Sequence, residues 1–221
     1  MANYLIIGGS SGIGKSLVAQ CFNHFGAKVL DADQVGHEVL KTPNVIAAIQ
    51  SRWGEIVLKD GEVDRSVLGK IVFDPSQNGS ESLQFLEQIT HPLISARIRQ
   101  QLLQLKSNSS ISAVVLDAPI MFKAKWDRLC DKIVFVHTDI SLRQQRARQR
   151  GWDAEELSRR ESRQTSIEEK RSKSTDTIDN SKSREETYQQ ACDLWQAWGL
   201  QLPNGLESPT TLFKKYTPKI R

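Results

Sequence analysis

Short apolar runs alternate with longer stretches of helical periodicity along this chain of 221 residues. The runs Tyr4–Ile7, Val29–Leu30, "AVVLDAP" and "DKIVFVH" have strand length, and "TDTIDN" is a weaker fifth. Continuous apolar strands are typical of a parallel sheet that is buried on both faces. Helical segments separate the runs, so the pattern predicts an α/β protein: a three-layer α/β/α fold with a five-stranded parallel sheet.

The spacing of the runs divides the chain into segments of different character. Residues 1–35, 113–150 and 175–200 are predicted to form the α/β core. The interval 36–112 is too long for one crossover and predicts an inserted helical lobe, with breaks near Gly54, Gly61 and Pro75. The very polar segment 151–174 has the composition of a mobile lid. The tail, 201–221, has prolines and no apolar periodicity, and we expect it to be weakly ordered.

The stretch "YLIIGGSSGIGKSLVAQ" fits two kinds of nucleotide loop. Gly8, Gly12 and Gly14 match the dinucleotide loop of short-chain dehydrogenases, whose chemistry also needs a Tyr with a Lys four residues later. The tyrosines Tyr4, Tyr188 and Tyr216 are instead followed at that spacing by Gly, Cys and Ile. The alternative is a P-loop, Gly-x-x-x-x-Gly-Lys-Ser, which Gly9–Ser16 matches between a strand and a helix. We conclude that the loop binds a nucleoside triphosphate.

A P-loop binds phosphate mainly through its backbone. Successive N–H groups at a helix N-terminus surround phosphate oxygens, and here the predicted ATP-binding positions are Gly9, Ser11, Gly12, Ile13, Gly14, Lys15, Ser16 and Leu17. Lys15 is expected to neutralise the β- and γ-phosphates, and the Ser16 hydroxyl to bind Mg²⁺. Leu17 contributes only its backbone N–H.

Carboxylates follow the predicted second and third strands. Asp31 and Asp33 close the second strand, where a carboxylate can accept the proton of an attacking hydroxyl group. The alternative for Asp33 is that it caps the helix that starts near Gln34. Asp117 ends the third strand like a Walker-B acid, or is a simple turn residue there. Asp33 or Asp117 would then assist Ser16 in holding Mg²⁺ through water.

Charge and cysteine content narrow the classes of partner. The net charge is +4, and the stretch from Arg143 to Lys173 holds ten basic and six acidic residues with a single aromatic residue, Trp152, among them. Such a local excess of positive charge is typical of a site for a polyphosphate ligand or of a solvated helix face, and less typical of a nucleic-acid-binding surface. Three widely spaced cysteines and the lack of a long apolar run favour a cytoplasmic protein without a membrane partner. A monomer is favoured, with the oligomeric state left open.

Taken together, a series of motifs resembles the dephospho-CoA kinases. After the P-loop the matching stretches are "VLDADQVGHEVL", "DRSVLGKIVF", "LEQITHPLI", "VVLDAPIMF", "DKIVFV", "RARQRG" and "IDNSKSREE". They extend from Tyr4 to Trp195. The resemblance implies transfer of the γ-phosphoryl group of ATP to the ribose 3′-hydroxyl of dephospho-CoA, the last step of coenzyme A synthesis, by a P-loop kinase fold with Mg²⁺.

The resemblance also implies roles for residues outside the P-loop. Asp33 would be the base, with Asp31 its supporting neighbour, and Asp117 would lie with them on the substrate side. Arg65 and His91 fall in the lobe expected to bind dephospho-CoA, although His91 fits a helix-capping or core position equally well. Two further residues would bind ATP. Arg146, with Arg150 near it, would contact the transferring phosphate or form a surface salt bridge, and Asn180 would lie near the adenine or serve as a turn residue.

Three positions depart from the usual pattern of the family. Leu17 lacks a hydroxyl, Lys123 occupies a position that is usually acidic, and Glu161 stands where an apolar residue is common. These departures leave two rival functions: a P-loop kinase of another small-molecule acceptor, and a non-catalytic nucleotide-binding regulator.

Overall fold

The structure, a computed structural model, describes residues 3–9, 15–106, 108, 111–162 and 164–214. The chain forms two compact units. The sheet unit contains the described residues up to Asp31 and from Gln104 onward, and the helical unit is Ala32–Leu103. The sequence places the corresponding boundaries at 36 and 112, four residues later at the first end and nine residues later at the second.

In the described part of the chain, seven strands form two sheets. They are β1 (Asn3–Gly9), β2 (Lys28–Asp31), β3 (Leu58–Lys59), β4 (Glu62–Val63), β5 (Ala113–Asp117), β6 (Lys132–His137) and β7 (Asp176–Asp179). The larger sheet has the order β2-β5-β1-β6-β7, and all neighbouring pairs are parallel. Every residue of β5 is buried, which explains why its sequence shows no alternation of polar and apolar positions. The mixed α/β architecture is confirmed.

Ten helices are described. They are α1 (Lys15–His24), α2 (Ala32–Val39), α3 (Pro43–Trp53), α4 (Arg65–Val72), α5 (Gln77–Lys106), α6 (Ile140–Arg148), α7 (Ala154–Ser162), α8 (Ile167–Ser172), α9 (Arg184–Ala197) and α10 (Pro209–Lys214). None of the helices in the described ranges has the length and apolar character needed to cross a membrane.

Aromatic side chains from α1, from the turn after it and from α9 form the centre of the sheet unit's core. Phe22 and Trp195 are fully buried and stack with their ring centroids 5.9 Å apart, and Phe25 packs edge-on against Tyr188. The apolar face of α1 predicted from Leu17, Val18, Cys21 and Phe22 is buried in this core. Helix α1 ends before Gly26, whose φ of +103° a side chain would strain.

The expectation of a weakly ordered tail is wrong for residues 201–214. Leu202, Leu206 and Leu212 pack against the core, and Phe213 on α10 is buried in it. The Trp195 indole also donates a hydrogen bond to the Gln201 carbonyl oxygen at 3.1 Å. The apolar residues are spaced to follow an irregular path over the core, so they show neither helical nor strand periodicity. The remaining tail positions, 215–221, lie outside the described residues.

The helical unit contains α2, α3, α4 and a small hairpin in addition to most of α5. The predicted break near Gly61 is this hairpin, in which β3 pairs with β4. Asp60 and Gly61 both have positive φ values, 54° and 79°, as a two-residue type I′ hairpin turn requires. Within the unit, Trp53 and Phe85 pack edge to face at 5.4 Å, and Arg97 pairs with Glu38 at 3.7 Å.

The polar segment 151–174 folds into α7 and α8. Leu157 is buried against Ala147, and Trp152 packs beside them. The guanidinium carbon of Arg160 lies 4.1 Å from the centre of the Trp152 ring, a close cation–π contact. The movement of this segment as a lid stays a prediction.

Candidate active site

The carboxyl ends of three neighbouring strands place two acidic residues next to one another. In the strand register, Asp117 of β5 pairs with Asp31 of β2 on one side and with Ile7 of β1 on the other. Two residues after Ile7, β1 ends at Gly9, the first residue of the predicted P-loop. Strands β5 and β6 flank β1, and the chain crosses from one side of β1 to the other between them; in such sheets ligands bind outside the carboxyl ends of the strands.

Helix α1 begins at Lys15, as the P-loop interpretation requires. The Lys15 side chain is 4% exposed, and Ser16 is half-buried. Leu17 is buried in the core, so an apolar side chain replaces the usual hydroxyl without exposing apolar surface. The predicted loop residues Ser11, Gly12, Ile13 and Gly14 lie outside the described residues.

The structure corrects the placement of Asp33. We expected Asp31 and Asp33 both to close the second strand, but β2 ends at Asp31 and α2 begins directly at Ala32. Asp33 therefore lies in the first turn of α2, where the helix N-terminus favours a carboxylate. Asp31 belongs to the sheet unit and Asp33 to the helical unit, and both are half-buried.

Arg146 and Asn180 are in direct contact on the sheet unit. The Nη2 group of Arg146 donates to the Asn180 carbonyl oxygen at 3.1 Å. The Asn180 side chain is 1% exposed, and its Oδ1 accepts a hydrogen bond from the Thr187 hydroxyl at 3.1 Å. Its Nδ2 group is buried without a hydrogen-bond partner among the described residues. A buried amide donor in this state is costly unless a ligand supplies an acceptor.

Arg146 also lies in a cluster of positive charge. Its pKa is lowered from the ordinary arginine value by burial first, and then by Arg184 and Arg150. Like charges that are brought together in this way favour a bound anion. Arg184, the first residue of α9, was not identified from the sequence, because an exposed arginine at a helix start has no distinguishing pattern.

Sequence reasoning also missed two buried cations. Arg143 of α6 pairs with Glu161 of α7 at 2.7 Å, and their side chains are 8% and 22% exposed. Lys170 of α8 is 2% exposed and donates to Oε1 of Gln164 at 2.6 Å. The pKa of Lys170 is lowered to about 7 by burial first and by Lys15 next; Arg143 lowers it further, and Glu161 raises it. Both cations lie in stretches whose composition is that of a solvated helix.

The ion pair between Arg143 and Glu161 explains one departure from the family pattern. Glu161 occupies a usually apolar position, and the structure gives its carboxylate a buried guanidinium partner on α6. Lys123, another departure, is exposed in the turn after β5.

Arg65 lines a cavity of about 330 Å³ in the helical unit. The lining residues come from α2, β4 and the start of α4: His37, Leu40, Lys41, Glu62, Val63 and Arg65. Asp64 fixes this end of α4, because its carboxylate accepts hydrogen bonds from the backbone N–H groups of Ser66 at 2.9 Å and Val67 at 3.2 Å. His91 lies in the middle of α5 and is half-buried, so the helix-capping alternative for it is wrong.

The described residues contain no group of three or more His, Cys, Asp or Glu side chains that could hold a metal ion. Magnesium in nucleotide sites does not need such a group, because it keeps several waters and binds substrate phosphates with one or two protein ligands. Ser16 in the first turn of α1 and Asp117 at the end of β5 carry side-chain oxygen atoms of that kind, and the magnesium site formed by Ser16 with Asp33 or Asp117 stays a prediction.

Comparison with known proteins identifies the family. The family model for dephospho-CoA kinase matches residues 4–186. The chain belongs to the dephospho-CoA kinase family. A dephospho-CoA kinase of Wolbachia pipientis is 36% identical over 188 residues, covering 84% of this chain and 93% of the relative. The dephospho-CoA kinase of Carboxydothermus hydrogenoformans is 36% identical over 199 residues, and the match covers 87% of this chain and 94% of the relative.

Solved structures agree with this dephospho-CoA kinase assignment. The dephospho-CoA kinase from Campylobacter jejuni is 29% identical with a TM-score of 0.68, and the match covers 90% of this chain and 98% of that one. A Thermus thermophilus protein is 28% identical with a TM-score of 0.74, and the match covers 89% of this chain and 97% of that protein. The resemblance carried by the sequence motifs is thereby confirmed.

Proposed function

We propose that this protein transfers the γ-phosphoryl group of ATP to the ribose 3′-hydroxyl of dephospho-CoA and so forms coenzyme A. The observation that carries the proposal is the arrangement at one edge of the parallel sheet. There the strand leading to the P-loop lies beside Asp117 of β5, Asp117 pairs in turn with Asp31 of β2, and α1 begins with a buried lysine. Family membership identifies the acceptor as dephospho-CoA rather than another small molecule.

The sheet unit would bind ATP. Lys15 neutralises the β- and γ-phosphates at the start of α1, while the guanidinium of Arg146 stabilises charge on the transferring group. The contact between Arg146 and Asn180 supports a shared site, and the buried Nδ2 group of Asn180 offers a donor for an acceptor atom of the adenine. Ser16, with Asp33 or Asp117 through water, would hold Mg²⁺, which when bound would neutralise phosphate charge.

The helical unit would bind dephospho-CoA. Its cavity is lined by Lys41, Arg65 and His37, groups that suit the anionic diphosphate of this acceptor. Its volume is at the lower end of the range for small-molecule sites, so the cavity would hold part of the ligand. His91 on α5 is the remaining candidate contact from this unit.

Asp33 would act as the general base. Its carboxylate accepts the proton of the 3′-hydroxyl group while that oxygen forms a bond to the γ-phosphorus. The bond between the γ-phosphorus and the bridging oxygen breaks at the same centre, and ADP leaves with the electron pair. Closure of 151–174 over the site would exclude water, which otherwise competes as the acceptor.

A panel of acceptors tests this function. Purified protein is incubated with ATP and Mg²⁺ and with dephospho-CoA, adenosine monophosphate, shikimate or gluconate, and the products are identified by mass. We expect dephospho-CoA alone to gain one phosphate. Phosphorylation of another acceptor at a higher rate would support a different kinase, and ATP binding without any phosphorylated acceptor would support a regulator.

We also propose that the protein works as a cytoplasmic monomer without a nucleic-acid or membrane partner. All three cysteines are free thiols, as a reducing compartment favours. Two cations of the basic stretch, Arg143 and Lys170, are buried and so do not form a basic surface. Light scattering coupled to size-exclusion chromatography tests the monomer, with a dimer mass as the contrary result.

A further inference from the structure

Thr138 directly follows β6 and carries a buried hydroxyl group. The residue is 5% exposed, and in the described part of the chain its Oγ1 atom has no hydrogen-bond partner. The reaction proposed above gives this hydroxyl no role. A buried hydroxyl without a partner is unfavourable unless a ligand or an ordered water pairs with it.

Backbone hydrogen bonds place Thr138 beside Asn180. Strands β6 and β7 pair in parallel, and the pairing continues one step beyond them, because the Asn180 N–H donates to the His137 carbonyl oxygen at 2.8 Å. On the other side of Thr138, the Asp139 N–H donates to the Ser181 hydroxyl at 3.0 Å. Thr138 is thus held between two hydrogen bonds to the segment that contains Asn180.

Both side chains belong to the sheet face that α1 and α9 cover. Val136 and Ile178, two residues before Thr138 and Asn180, are buried in one core with residues of these helices. Side chains alternate between the faces of a sheet with a period of two, so Thr138 and Asn180 continue the same face. For Asn180 the contact with α9 agrees with this, since its Oδ1 accepts from the Thr187 hydroxyl at 3.1 Å.

Two buried groups without a partner among the described residues therefore occupy neighbouring strand ends. The Nδ2 group of Asn180 is a donor, and the Thr138 hydroxyl can donate one hydrogen bond and accept two. A ligand that satisfies both groups has to present an acceptor and a donor next to each other. The edge of adenine does so, because its N7 acceptor lies beside its N6 amino group.

The distance from the P-loop favours the base of a nucleotide over its phosphates. In the sheet order, β7 lies two strands away from β1, which is about 10 Å, and β1 is the strand that leads into the P-loop. Both groups are also neutral, whereas phosphate oxygens are mostly bound by cations and by backbone N–H groups at a helix N-terminus.

We propose that the Thr138 hydroxyl binds the purine ring of ATP together with the Asn180 amide. Asn180 donates to a ring nitrogen, and the Thr138 hydroxyl accepts from the exocyclic amino group. Because both atoms are buried, the base reaches them only when a neighbouring side chain moves aside, and Arg146, which donates to the Asn180 carbonyl oxygen, is one such neighbour. The inference rests on the proposed function, since it requires ATP as the donor nucleotide.

Replacement of Thr138 by valine tests the inference, because valine has nearly the same shape and lacks the hydroxyl. The dissociation constant of ATP is measured by calorimetry, and that of inorganic triphosphate by displacement of bound ATP. ATP is expected to bind about 3- to 10-fold more weakly, the effect of losing one neutral hydrogen bond. Triphosphate has no base, and its binding is expected to stay within about twofold.

Stability gives a second readout with the opposite sign. Without nucleotide, Thr138→Val is expected to unfold in urea at the same or a higher midpoint than the wild type, because it no longer buries an unpaired hydroxyl. Thr175→Val is the matched control at the other end of the same two strands. The Thr175 hydroxyl accepts from the Ile133 N–H at 3.0 Å, so this variant should have a lower midpoint and an ATP affinity within about twofold of the wild type.

Three results would overturn the role of Thr138. They are an unchanged ATP affinity, as expected if only an ordered water pairs with the hydroxyl, an equal weakening of ATP and triphosphate, and a urea midpoint lowered as far as that of Thr175→Val. If Thr138→Val does not fold, the two affinities are measured for Thr138→Ala and interpreted in the same way. A wild type that binds ATP without phosphorylating dephospho-CoA contradicts the proposed function and leaves the Thr138 comparison valid, whereas a wild type that binds no ATP contradicts both.

Discussion

The ion pair between Arg143 and Glu161 allows a quantitative test of how α6 and α7 are held together. The two side chains meet at 2.7 Å, with Arg143 8% and Glu161 22% exposed. The Nε group of Arg143 is buried without a hydrogen-bond partner among the described residues, so Glu161 is important for compensating this guanidinium. The perturbation is Glu161→Leu, which introduces an apolar side chain at a position where the family commonly has one.

The expected effect is large because the arginine remains. Removing one partner of a buried ion pair typically destabilises a protein by about 3–5 kcal/mol, since the other charge is left uncompensated. Glu161 is partly exposed, and water can reach the vacated position, so we expect about 3 kcal/mol. The double variant Arg143→Leu/Glu161→Leu removes both charges, and replacement of a buried pair by apolar residues is often neutral. We expect it to lie within about 1 kcal/mol of the wild type.

The assay is equilibrium unfolding in urea, followed by far-UV circular dichroism, for both single variants and the double variant. The exposed pair Glu169 and Lys173 is treated in the same way as a control, with an expected coupling of about 0.5 kcal/mol. A Glu161→Leu variant destabilised by less than about 1 kcal/mol would refute the reasoning. So would a double variant whose destabilisation equals the sum of the two single effects.

Three further predictions follow from individual side chains. Asp33→Asn should lower kcat about 10²- to 10⁴-fold while ATP affinity is kept, and an unchanged kcat would remove Asp33 as the base. Burial lowers the pKa of Lys170 from 10.5 to about 7. Between these two pH values the unfolded chain therefore binds more protons than the folded protein. The stability of the ligand-free protein should rise with pH over this range. Thermal unfolding should therefore show that Lys170→Met stabilises the ligand-free protein more at pH 7 than at pH 10. An equal effect at both pH values would argue against the lowered pKa of Lys170. Ser183→Ala removes the cap of α9, in which the Ser183 hydroxyl accepts a hydrogen bond from the Glu186 N–H. The variant should be destabilised by about 1 kcal/mol in urea unfolding. No change in stability would show that the cap contributes nothing.

The elements that could be predicted from the sequence are those that a local pattern is enough to identify. All of β5 is buried, so its apolar run needs no knowledge of the neighbouring strands to be recognised. The start of α1 at Lys15 follows equally from the P-loop spacing. In both cases the residues that the local pattern identifies are also those that the surrounding structure needs at these positions.

Residues whose role depends on distant neighbours could not be predicted in this way. Arg143 and Lys170 occur in polar stretches, and only the packing of α6, α7 and α8 shows that they are buried. The tail residue Phe213 was missed because it packs against Tyr188 of α9, 25 residues earlier in the chain, which no local pattern reveals. The hairpin turn at Asp60 and Gly61 did carry a local signal, since Asp-Gly between short strands favours a type I′ turn.

The central claim is that the acceptor atom is the ribose 3′-oxygen of dephospho-CoA. The most direct measurement incubates the protein with ATP and Mg²⁺ and either dephospho-CoA or its 3′-deoxy analogue, and follows the product by mass and by phosphorus NMR. The account predicts one added phosphate on the 3′-oxygen of dephospho-CoA and none on the analogue. Phosphorylation of the analogue, or no phosphorylation of dephospho-CoA by a protein that binds ATP, would contradict it.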